Sequence, residues 1–365
     1  MPRPIKAIIH VDALRKNLQL VQAMRPDEKF FAVVKANAYG HGIGNVIDGL
    51  RAADGFAIME LMDAQLLRDK GWRGPIMLIE GAFEARDLEQ CSSLELTHVV
   101  HCEEQIDWLA QHKTNQPHDV FLKMNSGMNR LGFVPERYRA AWARLSHLPQ
   151  VKSVGLMMHF SDADSPLGVD DQLRVFNEVT KDLPGERSLC NSAACIAHPE
   201  VLNDWNRVGI ALYGASFDYP AHTYQHWKME PVMTLQSALI GIQDIHAGDA
   251  VGYNSTFRAP RDMRIGVVAC GYADGYPRIV PSGTPVLVDG VRVQTVGRVS
   301  MEMLAVDLTC APAAHLGSVV TLWGRAPNGA VLSVDEVALE AHTIGYELLT
   351  ALSHRVPVEV QDHAE

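Results

Sequence analysis

No apolar run in this 365-residue chain approaches the roughly 18 residues that a bilayer-spanning helix needs. The opening stretch, MPRPIKAIIHVDALRKN, offers only Ala7 to Ile9 before charge returns, too short for the core of a secretory signal. Paired cysteines are missing too: Cys91, Cys102, Cys190, Cys195, Cys270 and Cys310 are scattered without a C-x-x-C pair. That spacing suggests neither a disulfide framework nor a zinc knuckle, and the thiols are expected to be reduced. Basic residues are in deficit, 32 Lys and Arg against 43 Asp and Glu, for a formal charge of -11. A polyanion or anionic-membrane binder shows a basic field, so nucleic acid and membrane are not expected partners. The acidic excess reads as a solvated surface. Gly (28) and Pro (19) are near ordinary usage, with no internal repeat, which removes low-complexity and collagen-like classes. The expectation is a soluble, cytoplasmic protein.

What is present is apolar residue content, 47% of the chain, enough for a substantial core. From about residue 30 to 215, short runs rich in Val, Ile, Leu and Met alternate with longer segments of helical period, the pattern of βα units around a parallel sheet. Strand candidates are FFAVVKA (30–36), FAIME (56–60), PIMLIE (75–80), LTHVVH (96–101), DVFLKM (119–124), SVGLMMHF (153–160), RSLCN (187–191) and NRVGIALYG (206–214). Helix candidates between them include GNVIDGLRAA, MDAQLLRDKG, EEQIDWLAQHK, PERYRAAWARLSHL and DDQLRVFNEVTKDL. Eight strands with intervening helices over about 200 residues predict an α/β chain with an N-terminal (β/α)8 TIM-type barrel. Beyond residue 228 short alternating strands take over, broken by turn dipeptides. Asp289-Gly290 in PVLVDGVRVQTV reads as a hairpin, and one or two helices are expected near VDEVALEAHTIGYELLTALS. The expected division is a barrel over 1–228 and a mainly β C-terminal domain over 229–365. The run AIIHV (7–11) precedes the eight and belongs with either domain.

The sharpest chemical signal is FFAVVKANAYGHG (30–42), where an apolar strand ends by presenting Lys35. Residues at the C-terminal ends of barrel strands face the active site. A lysine with little bulk water around it can lose its proton and attack an aldehyde to give a Schiff base. Taken alone, Lys35 reads more readily as a solvated strand-end lysine paired with a carboxylate. The nearby G-H-G-I-G lacks the G-x-G-x-x-G spacing of a dinucleotide fold. His98, His101 and Cys102 do not make a metal site, because alternation along a strand splits their directions. Met157 and Met158 read as core.

FAVVKANAYGHG, KMNSGMNRLGF, NSAA, NRVGIALYG, VGYNSTF, GYADGYPR, GRVSME and HTIGYE occur in the order and spacing of the bacterial alanine racemase family. The chain resembles that family from about residue 5 to residue 360. The resemblance implies a fold-type III pyridoxal 5'-phosphate enzyme, an isomerase that interconverts L-alanine and D-alanine. In bacteria this supplies peptidoglycan synthesis or serves alanine catabolism. It implies that Lys35 bonds the cofactor, and that Lys35 and Tyr253 are acid/base groups on opposite faces of the substrate's Cα. It further implies that Tyr253 comes from the partner subunit of a head-to-tail homodimer with composite sites.

By the same resemblance, Tyr39, Ser192, Gly209, Ile210 and Tyr346 make the phosphate cradle, and His159 and Arg207 form the chain of hydrogen bonds that favours the Tyr253 phenolate. A phenol with a pKa of about 10 needs such help near neutrality. Arg207 also matches the partner of the pyridine nitrogen. As an obligate donor it keeps that nitrogen an acceptor and the ring a weak electron sink. Arg130 matches the contact to cofactor and substrate carboxylate, Lys123 a lysine that is carbamylated in some members, and Tyr272 and Met301 the substrate entrance and carboxylate site.

Two departures stand out. Met301-Glu302 replaces the usual Met-Asp, which bears on substrate selectivity, and Asn125-Ser126 removes a charge beside Lys123 and Arg130. The rival readings are a broader amino-acid or serine racemase, a barrel-type decarboxylase, which would want a carboxylate where Arg207 lies, and a pyridoxal-phosphate carrier, which would need neither Tyr253 nor a second domain.

Overall fold

The first strand, β1 (Lys6–His10), does not join the parallel strands that follow it. The computed structural model describes residues 3–114 and 116–362 and divides into two compact units. One comprises Asn17–Ala38 and Gly42–Leu212, the other Met1–Lys16, Tyr39–His41 and Tyr213–Glu365.

The first of these units holds β2 (Lys29–Val33), β3 (Gly55–Ile58), β4 (Ile76–Leu78), β5 (Thr97–Val100), β6 (His118–Lys123), β7 (Val151–Met157), β8 (Arg187–Ser188) and β9 (Trp205–Val208). Each pairs in parallel with its neighbour, in the order β8-β7-β6-β5-β4-β3-β2-β9. Backbone bonds from Arg207 N to Cys190 O (2.9 Å) and from Asp204 N to Arg187 O (3.0 Å) join the two end strands. The result is the expected eight-stranded barrel. Strands such as β3 and β4 are buried at every residue, which is why their sequence is continuously apolar rather than alternating. Two glycines make room for the interior: a Cβ on Gly55 would lie 2.7 Å from the Phe31 ring, and one on Gly155 2.4 Å from the Phe121 ring.

The helices follow their signals. Pro135 opens the helix Pro135–Ser146, where its missing N–H costs nothing. The helix Asp170–Thr180 buries Gln172, Phe176 and Thr180, four residues apart, against the barrel.

Two expectations needed adjustment. The run 206–214 is strand only to Val208; Ile210–Tyr213 forms a 3-10 turn. Both halves are buried, so no periodicity separated them. GNVIDGLRAA forms two short turns, Ile43–Val46 and Ile47–Leu50, rather than one helix, consistent with the poor helix propensity of its glycines.

The second unit is built on a nine-stranded sheet. Its strands are β1, β10 (Met233–Ile245), β13 (Met263–Val268), β14 (Pro285–Val288), β15 (Val291–Val296), β16 (Leu304–Asp307), β17 (Val319–Arg325), β18 (Val331–Leu332) and β19 (Val358–Gln361). The long β10 runs antiparallel to β1, β13 and β17. Asp289 (φ 48°) and Gly290 (φ 80°) form the left-handed two-residue turn between β14 and β15. A separate two-stranded ribbon, β11 (Ala250–Val251) with β12 (Phe257–Arg258), carries Tyr253 in its connecting loop. Ser333 caps the helix Val334–Glu340 in a reciprocal box with Glu336, and a second helix, Gly345–Thr350, follows.

Candidate active site

Immediately after β2 the backbone leaves ordinary conformations. Ala36 (φ 51°, ψ 48°), Asn37 (φ 52°, ψ 51°), Ala38 (φ 55°, ψ 51°) and Tyr39 (φ 52°) form a left-handed helical turn without a glycine. Each such residue costs roughly 1–2 kcal/mol. In the barrel unit the turn is tied down by Ala38 N donating to Val34 O (2.8 Å), Gly42 N to Asn37 O (2.8 Å) and Ile43 N to the Asn37 side chain (3.1 Å). Strain held by surrounding bonds is characteristic of functional sites. Here it follows directly on Lys35.

Lys35 keeps solvent contact, yet partial desolvation lowers its pKa, as do Arg130 and Arg207, while Glu80 opposes them. Lys123, at the end of β6, is buried and brought down to about 8 by burial first, then by Arg207 and Arg130. His159, after β7, is held neutral by burial and by Arg207, Lys123, Arg130 and Lys35. The barrel unit therefore gathers Lys35, Lys123, Arg130 and Arg207 into one cationic field at the strand ends, with neutral His159 among them. Arg130 lies exposed in the loop 125–130, which Asn125 fastens by accepting from Gly127 N (3.3 Å) and Asn129 N (2.9 Å).

Arg207, on β9, is buried without a carboxylate partner among the described residues. Its Nη1 donates to Ser188 O (2.5 Å) and Ser188 Oγ (2.8 Å), and its Nη2 to Met158 O (2.8 Å), Leu189 O (3.3 Å) and His159 Nδ1 (3.2 Å). Only the Nε–H has no acceptor among the described residues. Burial brings the guanidinium down to about 10. Since arginine cannot accept, His159 Nδ1 must, and the imidazole hydrogen lies on Nε2. Close by in the same unit, Ser192 opens a short helical turn and its Oγ accepts from Gly209 N (3.0 Å), with buried Ile210 next along.

The remaining sequence-derived residues belong to the second unit. Tyr39 is buried and stacks on Tyr213 (4.7 Å between centroids), with Tyr346 6.1 Å away. Burial raises the Tyr39 pKa, so it stays a phenol. Gly40 (φ 80°) permits this packing: a Cβ there would lie 2.0 Å from Leu349 O. Tyr253 is 67% exposed. Its loop follows Gly252 (φ 75°), which abuts Arg298 N, and Asn254 and Ser255 are left-handed. The chain from Arg298 continues to Met301, where Tyr272 N donates to Ser300 O (3.1 Å) and Ala273 N to Met301 O (3.0 Å). Tyr253, Tyr272 and Met301 thus sit on adjoining loops, all three exposed.

Three features escaped sequence reasoning. Glu80 is the carboxylate felt by Lys35, Lys123 and His101. It lies just past the C-terminal end of β4, so the strand-end rule would have found it. Ser188 and Gln172 carried no motif. Gln172 donates to Ser126 Oγ (3.3 Å) and His159 O (3.3 Å), joining the Arg130 loop to the His159 loop. Elsewhere, His98 bonds to His118 (3.2 Å) rather than to His101 or Cys102, and no metal-binding cluster occurs among the described residues. Met157 and Met158 are core.

Residues 9–217 match the family model of the alanine racemase N-terminal domain and residues 232–360 that of the C-terminal domain. The chain belongs to the alanine racemase family. The alanine racemase of Methylibium petroleiphilum is 63% identical over 363 residues, 99% of each chain. That of Acidovorax ebreus is 61% identical over 365 residues, covering 99% of this chain and all of the relative. The crystal structure of the biosynthetic alanine racemase from Pseudomonas aeruginosa superposes with a TM-score of 0.93 at 43% identity, covering 98% of this chain and 99% of that one. Within this alanine racemase family chain, the two departures have structural settings. Asn125 serves as a loop fastener, and Glu302 is ion-paired to Arg3 and Arg355.

Proposed function

We propose that this protein racemises alanine, using Lys35 and Tyr253 as acid/base groups on opposite faces of Cα and pyridoxal 5'-phosphate as cofactor. Lys35 carries the reading. It is an amine at a barrel strand end whose charged form is disfavoured by desolvation and two arginines, in a chain matching alanine racemases over its whole length. Substrate breadth beyond alanine belongs to the test. The domain division at about residue 228 is supported by the family boundaries at 217 and 232.

The residues present fit the cofactor. Arg207 has spent its Nη hydrogens on neutral acceptors and keeps Nε–H for one more, which suits a ring nitrogen that stays unprotonated. Ser192, Gly209, Ile210, Tyr39 and Tyr346 would hold the phosphate, Lys35 the aldehyde carbon, and Arg130 the phenolic oxygen. When bound, the cofactor supplies the electron delocalisation that makes the alanine Cα–H acidic.

The protein's own groups then move the proton. Lys35 Nζ, whose proton affinity is lowered by desolvation and by Arg130 and Arg207, takes or returns hydrogen on the face that serves D-alanine. Tyr253 Oη, supplied by a second copy of the chain, serves the L face. His159, fixed by Arg207 with hydrogen on Nε2, presents a donor of the kind that lowers the proton affinity of a phenol. Arg130 and the Met301 amide, which donates to no described residue, would receive the substrate carboxylate. Lys123, buried among cations and lowered to about 8, has the partly neutral amine that carbamylation requires. A carbamate there would restore the charge that Asn125 lacks beside Arg130.

The test is polarimetry on purified protein with each alanine enantiomer, repeated with serine, lysine and arginine. Both alanine samples should converge on zero rotation. Rotation that persists in either would refute the activity.

A further inference from the structure

The loops carrying Tyr272 and Met301 are bound together by four charges: a carboxylate on each loop and two arginines drawn from opposite ends of the chain. Asp274, with a fully buried side chain, accepts from Arg3 Nη1 (2.9 Å) and Nη2 (3.1 Å), from Arg355 Nε (2.9 Å) and from Gly271 N (3.0 Å). Glu302 accepts from both terminal nitrogens of Arg355 and is ion-paired with Arg3 Nη1 (3.0 Å), and its backbone carbonyl accepts from Arg3 Nη2 (2.8 Å). Asp274 closes the Tyr272–Asp274 turn and Glu302 directly follows Met301. The two loops approach so closely that a Cβ on Gly271 would lie 2.3 Å from Ser300 O. Two guanidiniums and two carboxylates balance in charge, and both forks are engaged at their carboxylates, the arrangement that fixes geometry as well as charge.

We propose that Arg3 is a positioning residue for the substrate-carboxylate site: with Arg355 it locks Asp274 to Glu302 and so sets the Met301 amide against Tyr272. This rests on reading Met301 and Tyr272 as that site. The glutamate explains its own presence. A side chain one methylene shorter at 302 would reach the Arg355 fork less fully, so the longer acid and Arg3 belong to one device. Removing Arg3 leaves Asp274 its contact with Arg355, so the fold should hold while the Met301 loop gains freedom.

The test uses the holoenzyme, measuring KM and kcat for both enantiomers and the inhibition constant of propionate, which offers the carboxylate without the amine. Arg3→Ala should raise KM in both directions and the propionate Ki together by roughly tenfold, with kcat changed much less. Arg3→Lys, which keeps charge but not the fork, should shift both in the same direction by less, and it stands in should Arg3→Ala fail to fold. Lys6→Ala breaks a neighbouring surface pair with Glu359 (2.7 Å) that touches neither loop, and it should keep parent values. Parent KM and Ki in the Arg3 variants would overturn the inference while leaving the racemase reading standing, as would an equal shift in Lys6→Ala. A parent enzyme that leaves alanine optically unchanged would bring down both.

Discussion

At single residues the chemistry is decided by neighbours rather than by residue type. Lys35 and Lys123 are both lysines at barrel strand ends among the same arginines, but Lys35 meets solvent and Lys123 is buried, so they suit different tasks. Lys35→Ala should abolish racemisation together with the visible absorbance of bound cofactor; an unchanged spectrum would exclude Lys35 as the anchor. Tyr253→Phe should keep that absorbance and lose about 10²–10⁴ in rate. The enantiomers have equal free energy, so both directions must slow alike, while hydrogen exchange from deuterated water into D-alanine persists through Lys35. Racemisation at the parent rate would remove Tyr253 from the mechanism. Most of these residues were legible because each sits in a motif of fixed order. Glu80 lay within reach of the strand-end rule, but Ser188 did not, since it is a single hydroxyl in a strand that only folding brings to Arg207.

At the scale of elements, the barrel strands were legible because burial on both faces leaves a continuous apolar run, and the helices because burial on one face leaves a period. The left-handed turn after Lys35 was not. KANAY contains two alanines and no glycine, so local preference points to a right-handed helix and tertiary bonds alone impose the opposite hand. The junction of β5 and β6 carries a pH dependence that is likewise invisible in sequence. His98 Nε2 meets His118 Nδ1 at 3.2 Å, and Ser92 Oγ lies between His118 and His112. Burial first, then neighbouring imidazoles, bring His98 from 6.5 to about 3 and His118 to about 4, with Asp119 opposing at His118. Both bind protons less readily folded than unfolded. Their stabilisation is complete above pH 6.5 and is lost as pH falls toward 4 for His118 and toward 3 for His98, at up to about 1.4 kcal/mol per pH unit for each. Urea midpoints should fall between pH 7 and pH 5, and His118→Gln should flatten that slope. A slope equal to the parent's would place the acid sensitivity elsewhere.

For the whole molecule, what matters is which chain supplies which group. The second unit exposes Tyr253, Tyr272 and Met301 on adjoining loops. The proposed site needs Lys35 from one chain and Tyr253 from another, and neither composition nor periodicity encodes that division. A mixing experiment does. Lys35→Ala and Tyr253→Phe homodimers each contain two crippled sites. If the chains are dissociated, mixed in equal amounts and re-associated, half the dimers are hybrids. With the tyrosine supplied across the interface, one site of each hybrid carries both defects and the other carries none, so about a quarter of parent activity should return. With Lys35 and Tyr253 supplied by the same chain, every hybrid site keeps one defect and nothing returns. Recovery should also vanish on dilution below the dimer's dissociation constant, followed by sedimentation, and activity that survives as monomer would refute the shared site.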